Sequence, residues 1–177
     1  GRDHFSGWSL NWINLGLDML PYLHRFYAPA DARAAFIAVK DLAAHYGAHV
    51  IGIPRDNLPV LAKADGSALW DATDEFEAVT VARKTAGAQR AILAFGAPAF
   101  LAIEASEALG KDGIATDVLV VNGLPLAENA VEEFVSQYPA GLVTIEDGII
   151  GGPATGLRGF AGLIASTAPV DAALLDA

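Results

Sequence analysis

Short apolar runs alternate with amphipathic helical patterns between residues 90 and 164, and this alternation constrains the fold more than any other feature of the sequence. Apolar runs of strand length lie at positions 90–95, 117–121 and 142–146. Helical spacing of apolar residues follows at 98–109, at 128–138 and in a last segment with Leu157, Phe160, Ala161 and Ile164. Strands and helices that alternate in this way form a mostly parallel sheet with helices on both faces. The sequence therefore predicts a doubly wound α/β domain here.

A shorter α/β pattern precedes this domain. Strands are expected at 23–27 and at 49–53, and between them Asp31 can cap a helix because its carboxylate accepts hydrogen bonds from the first turn. Gly47 is expected to end that helix. Its predicted buried face consists of Ala35, Phe36, Val39, Leu42, Ala43 and Tyr46.

The charged residues divide the chain near the turn-rich positions 64–67. Residues 1–63 hold six Lys and Arg against five Asp and Glu, whereas residues 64–177 hold five against sixteen. All four His lie in the first part. We therefore expect a partial α/β segment at 1–63, a linker with a candidate edge strand at 64–87, and a complete α/β domain at 88–177.

Composition excludes several classes of function. The net charge of −10 opposes the phosphate backbone, so nucleic acid is not an expected partner. There is no apolar stretch long enough to span a membrane. The chain has no Cys and therefore no thiolate metal site, and a cytoplasmic location is expected. No metal ligands are predicted.

Functional groups of a doubly wound sheet usually lie beyond the carboxyl ends of its strands. The residues so placed are Gly96, Asn122, Glu146, Asp147 and Gly148. The glycines that follow, Gly151 and Gly152, do not form a dinucleotide fingerprint. We interpret them as allowing the last helix to pack close to the sheet, and a close contact with a ligand or protein is the alternative.

Two stretches of the sequence resemble a known family. The run AILAFGAPAFLAIEASEALGKDGIATDVLVVNGLPLAENAVEEF, with GLVTIEDGIIGG after it, resembles the C-terminal domain of transketolases and related thiamine diphosphate enzymes. The stretch LPYLHRFYAPADARAAFIAVKDLAAHYGAHVIGIPRDNLPVL is similar to the end of the family's pyrimidine-binding domain. Together the two stretches cover about residues 19–165. The resemblance implies a transketolase-like C-terminal domain preceded by part of a pyrimidine-binding domain.

The resemblance implies roles for individual residues. Arg55 matches the loop arginine that binds the substrate phosphate in transketolases, and pairing with Asp56 on the surface is the alternative. His4 corresponds to one of the family's substrate-binding histidines, although the THQ motif is absent. His24 lies between apolar residues and is expected to be a core or interface histidine. No catalytic residue is assigned.

The family's catalysis depends on a diphosphate-binding domain and a cofactor-activating glutamate, which residues 1–177 lack. We therefore expect thiamine diphosphate and Mg²⁺ in the complete enzyme and neither on this chain alone. The implied function is that of a fragment or subunit of a transferase that moves a two-carbon ketol unit between sugar phosphates. It would bind substrate phosphate and dimerise through residues 88–177, as a homodimer or with a polypeptide that carries the diphosphate-binding domain. The alternatives are a non-catalytic interaction or regulatory module, or part of a 2-oxoacid dehydrogenase E1 component.

Overall fold

A computed structural model describes residues 24–54, 57–147, 151–152, 156–157 and 159–169. Its first part consists of β1 (Arg25–Tyr27), α1 (Ala32–Ala44) and β2 (His49–Ile51). β1 and β2 pair in parallel, with α1 as the crossover between them. The predicted strand–helix–strand order of this part is therefore confirmed, with both strands shorter than expected.

The start of α1 is the one predicted. Asp31 has extended backbone, and its carboxylate accepts hydrogen bonds from the amides of Arg33 and Ala34. The end differs, because the helix stops at Ala44 with His45 as its cap, three residues before Gly47. Gly47 has a φ of 135°, which lies outside the left-handed helical conformation expected of it.

The predicted buried face of α1 is wrong. The buried residues are Ala34, Ile37 and Ala38, while Phe36 is 54% exposed and Val39 is 49% exposed. The physical reason is that apolar residues occur on both sides of the helix, so that helical spacing alone does not identify the side that packs against the sheet. A second apolar face of α1 consequently points away from the core.

The second part contains the predicted parallel sheet. Its elements are β3 (Val79–Arg83), β4 (Arg90–Phe95), α2 (Ala99–Lys111), β5 (Thr116–Val121), β6 (Gly123–Leu124), α3 (Ala130–Gln137) and β7 (Leu142–Glu146). The sheet has the order β3-β5-β4-β7; β4 is parallel to both of its neighbours, and β3 forms an antiparallel edge. The candidate edge strand of the linker is this β3. The domain boundaries themselves stay a prediction.

The segment after β7 departs from the expected helix. Strands β8 (Gly151–Gly152) and β9 (Gly156–Leu157) form a short antiparallel pair, and α4 (Gly159–Thr167) begins after them. Leu157 therefore belongs to a strand, whereas Phe160 and Ile164 are buried on α4 as predicted. The end of α2 also lies two residues later than expected, at Lys111.

The core lies on both faces of the four-stranded sheet, because alternate residues of a strand point to opposite sides. Ile92 and Ala94 of β4 pack on the face covered by α1 and α2. Leu93 and Phe95 pack on the other face, which α3 and α4 cover. The doubly wound α/β class is thus confirmed.

Strand β6 joins the two parts of the chain. It follows β5 after one residue and pairs antiparallel with β1, so that Phe26 lies opposite Leu124 and Tyr27 opposite Gly123. The small sheet accordingly has the order β2-β1-β6. This pairing brings the end of β1 next to the ends of β4 and β5.

Candidate functional site

The structure places three of the predicted strand-end residues at one edge of the larger sheet. Gly96 follows β4, Asn122 follows β5, and Glu146 is the last residue of β7. These three strands are parallel, and their carboxyl ends therefore meet at the same edge. Asp147 follows Glu146, while Gly148 lies outside the described residues.

Ala28, Gly96 and Asn122 form a junction between the two parts of the chain, which we call the strand-end junction. The amide of Ala28 donates to the carbonyl oxygen of Asn122 at 2.7 Å. Gly96 has a φ of 69°, and a Cβ at this position would lie 2.8 Å from the carbonyl oxygen of Ala28. Glycine at 96 therefore permits both the turn and the close approach of two backbones.

Asn122 is held in a polar network at this junction. Its Nδ2 donates to the carbonyl oxygen of Glu77 at 3.0 Å and to the hydroxyl of Thr80 at 2.9 Å, and Trp70 Nε1 donates to the same hydroxyl. The side chain of Asn122 is buried, and its Oδ1 has no hydrogen-bond partner among the described residues. The amide thus fixes the edge strand β3 to the end of β5.

Glu146 caps helix α4. Its two carboxylate oxygens accept hydrogen bonds from the amides of Phe160, at 2.9 Å, and Ala161, at 2.8 Å. Burial raises the pKa of Glu146 above its ordinary value, although the two amides act in the opposite direction. A Cβ at Gly159 would collide with the carboxylate, so glycine at 159 allows the close packing of helix and strand end. The first acid of the EDG turn therefore has a structural role.

The two residues that the family resemblance suggested for substrate binding, Arg55 and His4, lie outside the described residues. Their roles stay predictions. The segment that leads to Arg55 is described up to Pro54 and follows the carboxyl end of β2. The amide of Gly52 donates to the carbonyl oxygen of Tyr27, so this segment starts beside the end of β1.

Three histidines lie at the opposite, amino-terminal end of β1 and β2. The ring of His24 stacks on that of His45, with centroids 5.0 Å apart, and meets His49 edge-on at 5.2 Å. His24 is exposed in this chain, so the expected core position is wrong, while the interface position stays a prediction. Partial desolvation and then the neighbouring charges of His45, Arg25 and His49 lower the pKa of His24, against the effect of Asp41.

His45 and His49 contact the carboxyl end of α1. Nδ1 of His45 lies 2.8 Å from the carbonyl oxygen of Asp41, and Nε2 of His49 lies 3.1 Å from that of His45. Both rings therefore lie against carbonyl oxygens at or just beyond the end of α1. Neither histidine is near the strand-end junction.

A charged cluster that the sequence did not predict lies at the start of β5. The carboxylate of Asp117 is fully buried and accepts hydrogen bonds from Lys84 Nζ at 2.6 Å, Tyr138 Oη at 2.8 Å and the amide of Thr85 at 2.7 Å. These contacts join the linker side of the sheet to the end of α3. They lie at the edge opposite the strand-end junction and thus serve the fold rather than the candidate site.

The described part of the chain contains no group of three or more His, Asp or Glu side chains arranged to bind a metal ion. Within the same residues, none of the helices combines the length and the apolar character needed to cross a membrane.

The fold defines an α/β chain of the doubly wound class, whose strand ends meet at the edge where such folds usually carry ligands. No protein-family model matches the sequence, and a comparison with curated proteins found no match either. Comparison with solved structures shows that the fold is that of transketolases.

Three of these structural neighbours illustrate the match. A split-gene transketolase described as an inactive β4 tetramer has a TM-score of 0.66 and 24% identity, over 81% of this chain and 43% of its own. The Campylobacter jejuni transketolase has a TM-score of 0.58 and 16% identity, over 89% and 26%. The Pichia stipitis transketolase in complex with sedoheptulose 7-phosphate has a TM-score of 0.54 and 22% identity, over 81% and 22%. The chain spans less than half the length of each of them.

Proposed function

We propose that this chain is the C-terminal fragment or subunit of a transketolase-like thiamine diphosphate enzyme that transfers a two-carbon ketol unit between sugar phosphates. The observation that carries the proposal is the structural match to a split-gene transketolase over 81% of the chain. Residues 64–177 make up less than 81% of the chain, so the match must extend into residues 1–63. The fold agreement therefore involves both parts of the chain in which the sequence resembles the family.

In this proposal the chain contributes a phosphate-binding side chain to the substrate site. Arg55 follows the carboxyl end of β2, where a doubly wound sheet usually carries its ligands. A guanidinium can bind two phosphate oxygens at once, which suits a sugar phosphate substrate. The sedoheptulose 7-phosphate complex of the Pichia stipitis neighbour supports a substrate of this class. His4 is proposed as a second substrate contact.

The cofactor belongs to the complete enzyme in this proposal. Thiamine diphosphate would supply the carbanion that carries the two-carbon unit. The described residues include no group of three or more acidic or histidine side chains arranged to hold Mg²⁺, and we derive no step through the cofactor on this chain. We propose that another polypeptide, or another part of a longer chain, carries the diphosphate-binding domain.

The proposed assembly is therefore a homodimer, a complex with the polypeptide that carries the diphosphate-binding domain, or both, located in the cytoplasm. The chain would be inactive alone. The split-gene neighbour, described as an inactive β4 tetramer, supports both self-association and the lack of activity in isolation.

A reconstitution experiment tests this function. Ketol transfer from xylulose 5-phosphate to an aldose phosphate would be measured with the chain alone and with a separately produced diphosphate-binding polypeptide, with thiamine diphosphate and Mg²⁺ present. We expect activity in the mixture alone. Complex formation without transfer would favour a non-catalytic interaction module, and decarboxylation of a 2-oxoacid by the mixture would favour an E1 component. Saturable binding of thiamine diphosphate by the chain alone would show that this chain has a complete cofactor site, against the proposal.

A further inference from the structure

Three histidines meet at the amino-terminal end of β1 and β2, one beside each element of the first part. His24 precedes β1, His45 caps the end of α1, and His49 is the first residue of β2. His24 is the central ring, with its centroid 5.0 Å from that of His45 and 5.2 Å from that of His49. At these distances the rings are in contact, so a charge on one ring acts directly on the others. The way in which the three elements meet therefore depends on the charge of one cluster.

The hydrogen bonds of the cluster determine where it can take up further protons. Nδ1 of His45 lies 2.8 Å from the carbonyl oxygen of Asp41, and Nε2 of His49 lies 3.1 Å from that of His45. A carbonyl oxygen only accepts, so these two nitrogens carry the hydrogens of the neutral rings. A further proton on His49 must therefore bind Nδ1. That nitrogen is buried and has no hydrogen-bond partner among the described residues, so the added proton would be an unsatisfied donor.

The charges around the cluster can compensate one protonated ring but not two. In the part of the chain that the structure describes, Asp41 is the acid that acts on the central ring, and its Oδ1 lies 3.4 Å from Nδ1 of His45. Its Oδ2 is already engaged, because it accepts a hydrogen bond from Tyr27 Oη at 2.7 Å and lies 3.6 Å from Nε of Arg25. The linker adds the uncharged ring of Phe76, 4.5 Å from the guanidinium carbon of Arg25. A second imidazolium would thus be repelled without an acid of its own.

Strand β2 is the element that such repulsion can release most easily. The small sheet has the order β2-β1-β6, so β1 is paired on both sides, whereas β2 is paired with β1 alone among the described strands. At one end of this pairing the amide of His24 donates to the carbonyl oxygen of Ala48 at 2.7 Å. At the other end the amide of Gly52 donates to that of Tyr27 at 2.9 Å. Repulsion between His24 and His49 acts next to the first of these bonds.

We propose that the three histidines form a pH-sensitive switch, in which uptake of a second proton loosens the pairing of β2 with β1 and leaves the larger sheet intact. Desolvation and the neighbouring positive charges lower the pKa of His24 below its ordinary 6.5, in agreement with this geometry. The folded state thus disfavours protonated His24, so its contribution to stability is complete above pH 6.5 and is lost as the pH falls through the lower pKa of the folded state. The switch is independent of the proposed ketol transfer, since it requires neither substrate nor cofactor.

Three substitutions separate this switch from a general effect of acid. His24→Phe and His45→Phe each keep an aromatic ring in the cluster and remove one site of protonation. Both positions are exposed, so the fold should tolerate the changes. Lys111→His is the matched control, because it places one histidine at the end of α2, where the helix dipole favours a single positive charge. The amide of Ile114, which donates to the carbonyl oxygen of Leu109, reports on that helix end.

The experiment measures amide hydrogen exchange by NMR on the full 177-residue chain. Protection is compared at about pH 7.5 and about pH 5.5, on either side of the ordinary pKa of histidine, after correction for the intrinsic effect of pH on exchange. At the lower pH we expect protection of the Gly52 amide to fall roughly tenfold, while that of Ala35 at the start of α1 is unchanged. His24→Phe should abolish most of this fall, and His45→Phe should reduce it. In Lys111→His the protection of Ile114 should not fall.

Four results would overturn the proposal. Protection at Gly52 that does not depend on pH in the original chain would show that the cluster is not a switch. An equal fall at Ala35 and Gly52 would show that acid loosens the whole first part. An undiminished fall at Gly52 in His24→Phe would assign the pH response to another group. A fall of the same size at Ile114 in Lys111→His would show that one histidine at a helix end is sufficient without a cluster.

Discussion

At the scale of single residues, Gly96 lies where the two parts of the chain approach each other most closely. A Cβ there would meet the backbone of Ala28 at 2.8 Å, whereas Gly87 has a similar positive φ but nothing within 4 Å of such a Cβ. We expect Gly87→Ala to cost about 1–2 kcal/mol from backbone strain alone. Gly96→Ala should cost about 1–3 kcal/mol more, because the backbones must move apart. If urea unfolding shows that both variants lose the same free energy of unfolding, the close contact between Gly96 and Ala28 is contradicted.

The Asp117 cluster makes a prediction about acid stability. Burial tends to raise the pKa of Asp117, but the bonds from Lys84, Thr85 and Tyr138 outweigh it and hold the pKa below the ordinary 3.8. The folded state thus favours the ionised form of Asp117. Its contribution to the free energy of unfolding is complete above pH 3.8, the ordinary pKa, and is lost as the pH falls through the lower pKa of the folded state. Acid unfolding should therefore be assisted by protonation of this one buried group.

Replacement of Lys84 tests that assignment. Lys84→Met should lower the free energy of unfolding at neutral pH by about 1–2 kcal/mol, because the buried carboxylate loses a charged partner. It should also weaken the pH dependence of stability below about pH 4, since the pKa of Asp117 would move toward its ordinary value. Urea unfolding at several pH values measures both effects. Lys111→Met, at the exposed end of α2, is the control, and the same pH profile in both variants would refute the assignment.

At the scale of elements, the start of α4 depends on Glu146. The amides of Phe160 and Ala161 donate to this carboxylate from the adjacent strand end rather than to a capping residue of the helix itself. We expect Glu146→Ala to lower the free energy of unfolding by about 0.5–2 kcal/mol, as loss of a helix cap does. Amide exchange at Phe160 and Ala161 should accelerate. Glu133→Ala, on an exposed position of α3, should leave both measurements nearly unchanged, and an effect as large as that of Glu146→Ala would contradict the capping role.

The same scale shows what the sequence can predict. The strands β4 and β7 have the predicted bounds, because a continuous apolar run between turn residues has few alternatives in an α/β chain. The buried face of α1 could not be predicted, since apolar residues line two sides of that helix. Strand β6 has only two residues and depends on its pairing with β1, which no local pattern records.

The candidate site was predictable to a similar degree. Strand ends identify Gly96, Asn122 and Glu146 because topology places them, and a local cap motif identifies Asp31. The bond from Leu61 to Asp31 and the ion pair of Lys84 with Asp117 join residues about thirty positions apart. Such contacts depend on the tertiary arrangement, so the capping of α4 by Glu146 and the bond that joins Asp31 to Leu61 emerge only from the structure.

At the scale of the whole molecule, the strand-end junction adds backbone pairing to the apolar packing of α1 that also joins the two parts. β5 leads through Asn122 directly into β6, which extends the sheet of β1 and β2. The junction thus lies between the two parts of the chain for which we propose different roles.

The second apolar face of α1 provides the last prediction, about assembly. Ala32, Phe36, Val39 and Ala43 recur at spacings of four, three and four residues, which places them in one stripe on the side of the helix away from the core. The stripe is symmetric about its centre, so two antiparallel copies would place Phe36 against the partner's Val39. A contact with a second copy of this chain therefore suits this face, as an alternative to dimerisation through residues 88–177.

Two matched double variants decide between these surfaces in the proposed homodimer. Phe36→Asp with Val39→Asp charges the stripe of α1, and Leu101→Asp with Ile114→Asp charges exposed apolar positions of the 88–177 domain. All four side chains are more than one third exposed, so the free energy of unfolding should change little. We expect sedimentation of the first variant to show weaker self-association than the original chain and the second variant to behave as the original does. A stable interface needs buried apolar area, which the new charges would remove. The reverse result would assign dimerisation to residues 88–177. If the original chain is monomeric at all concentrations, a homodimer through either surface is ruled out.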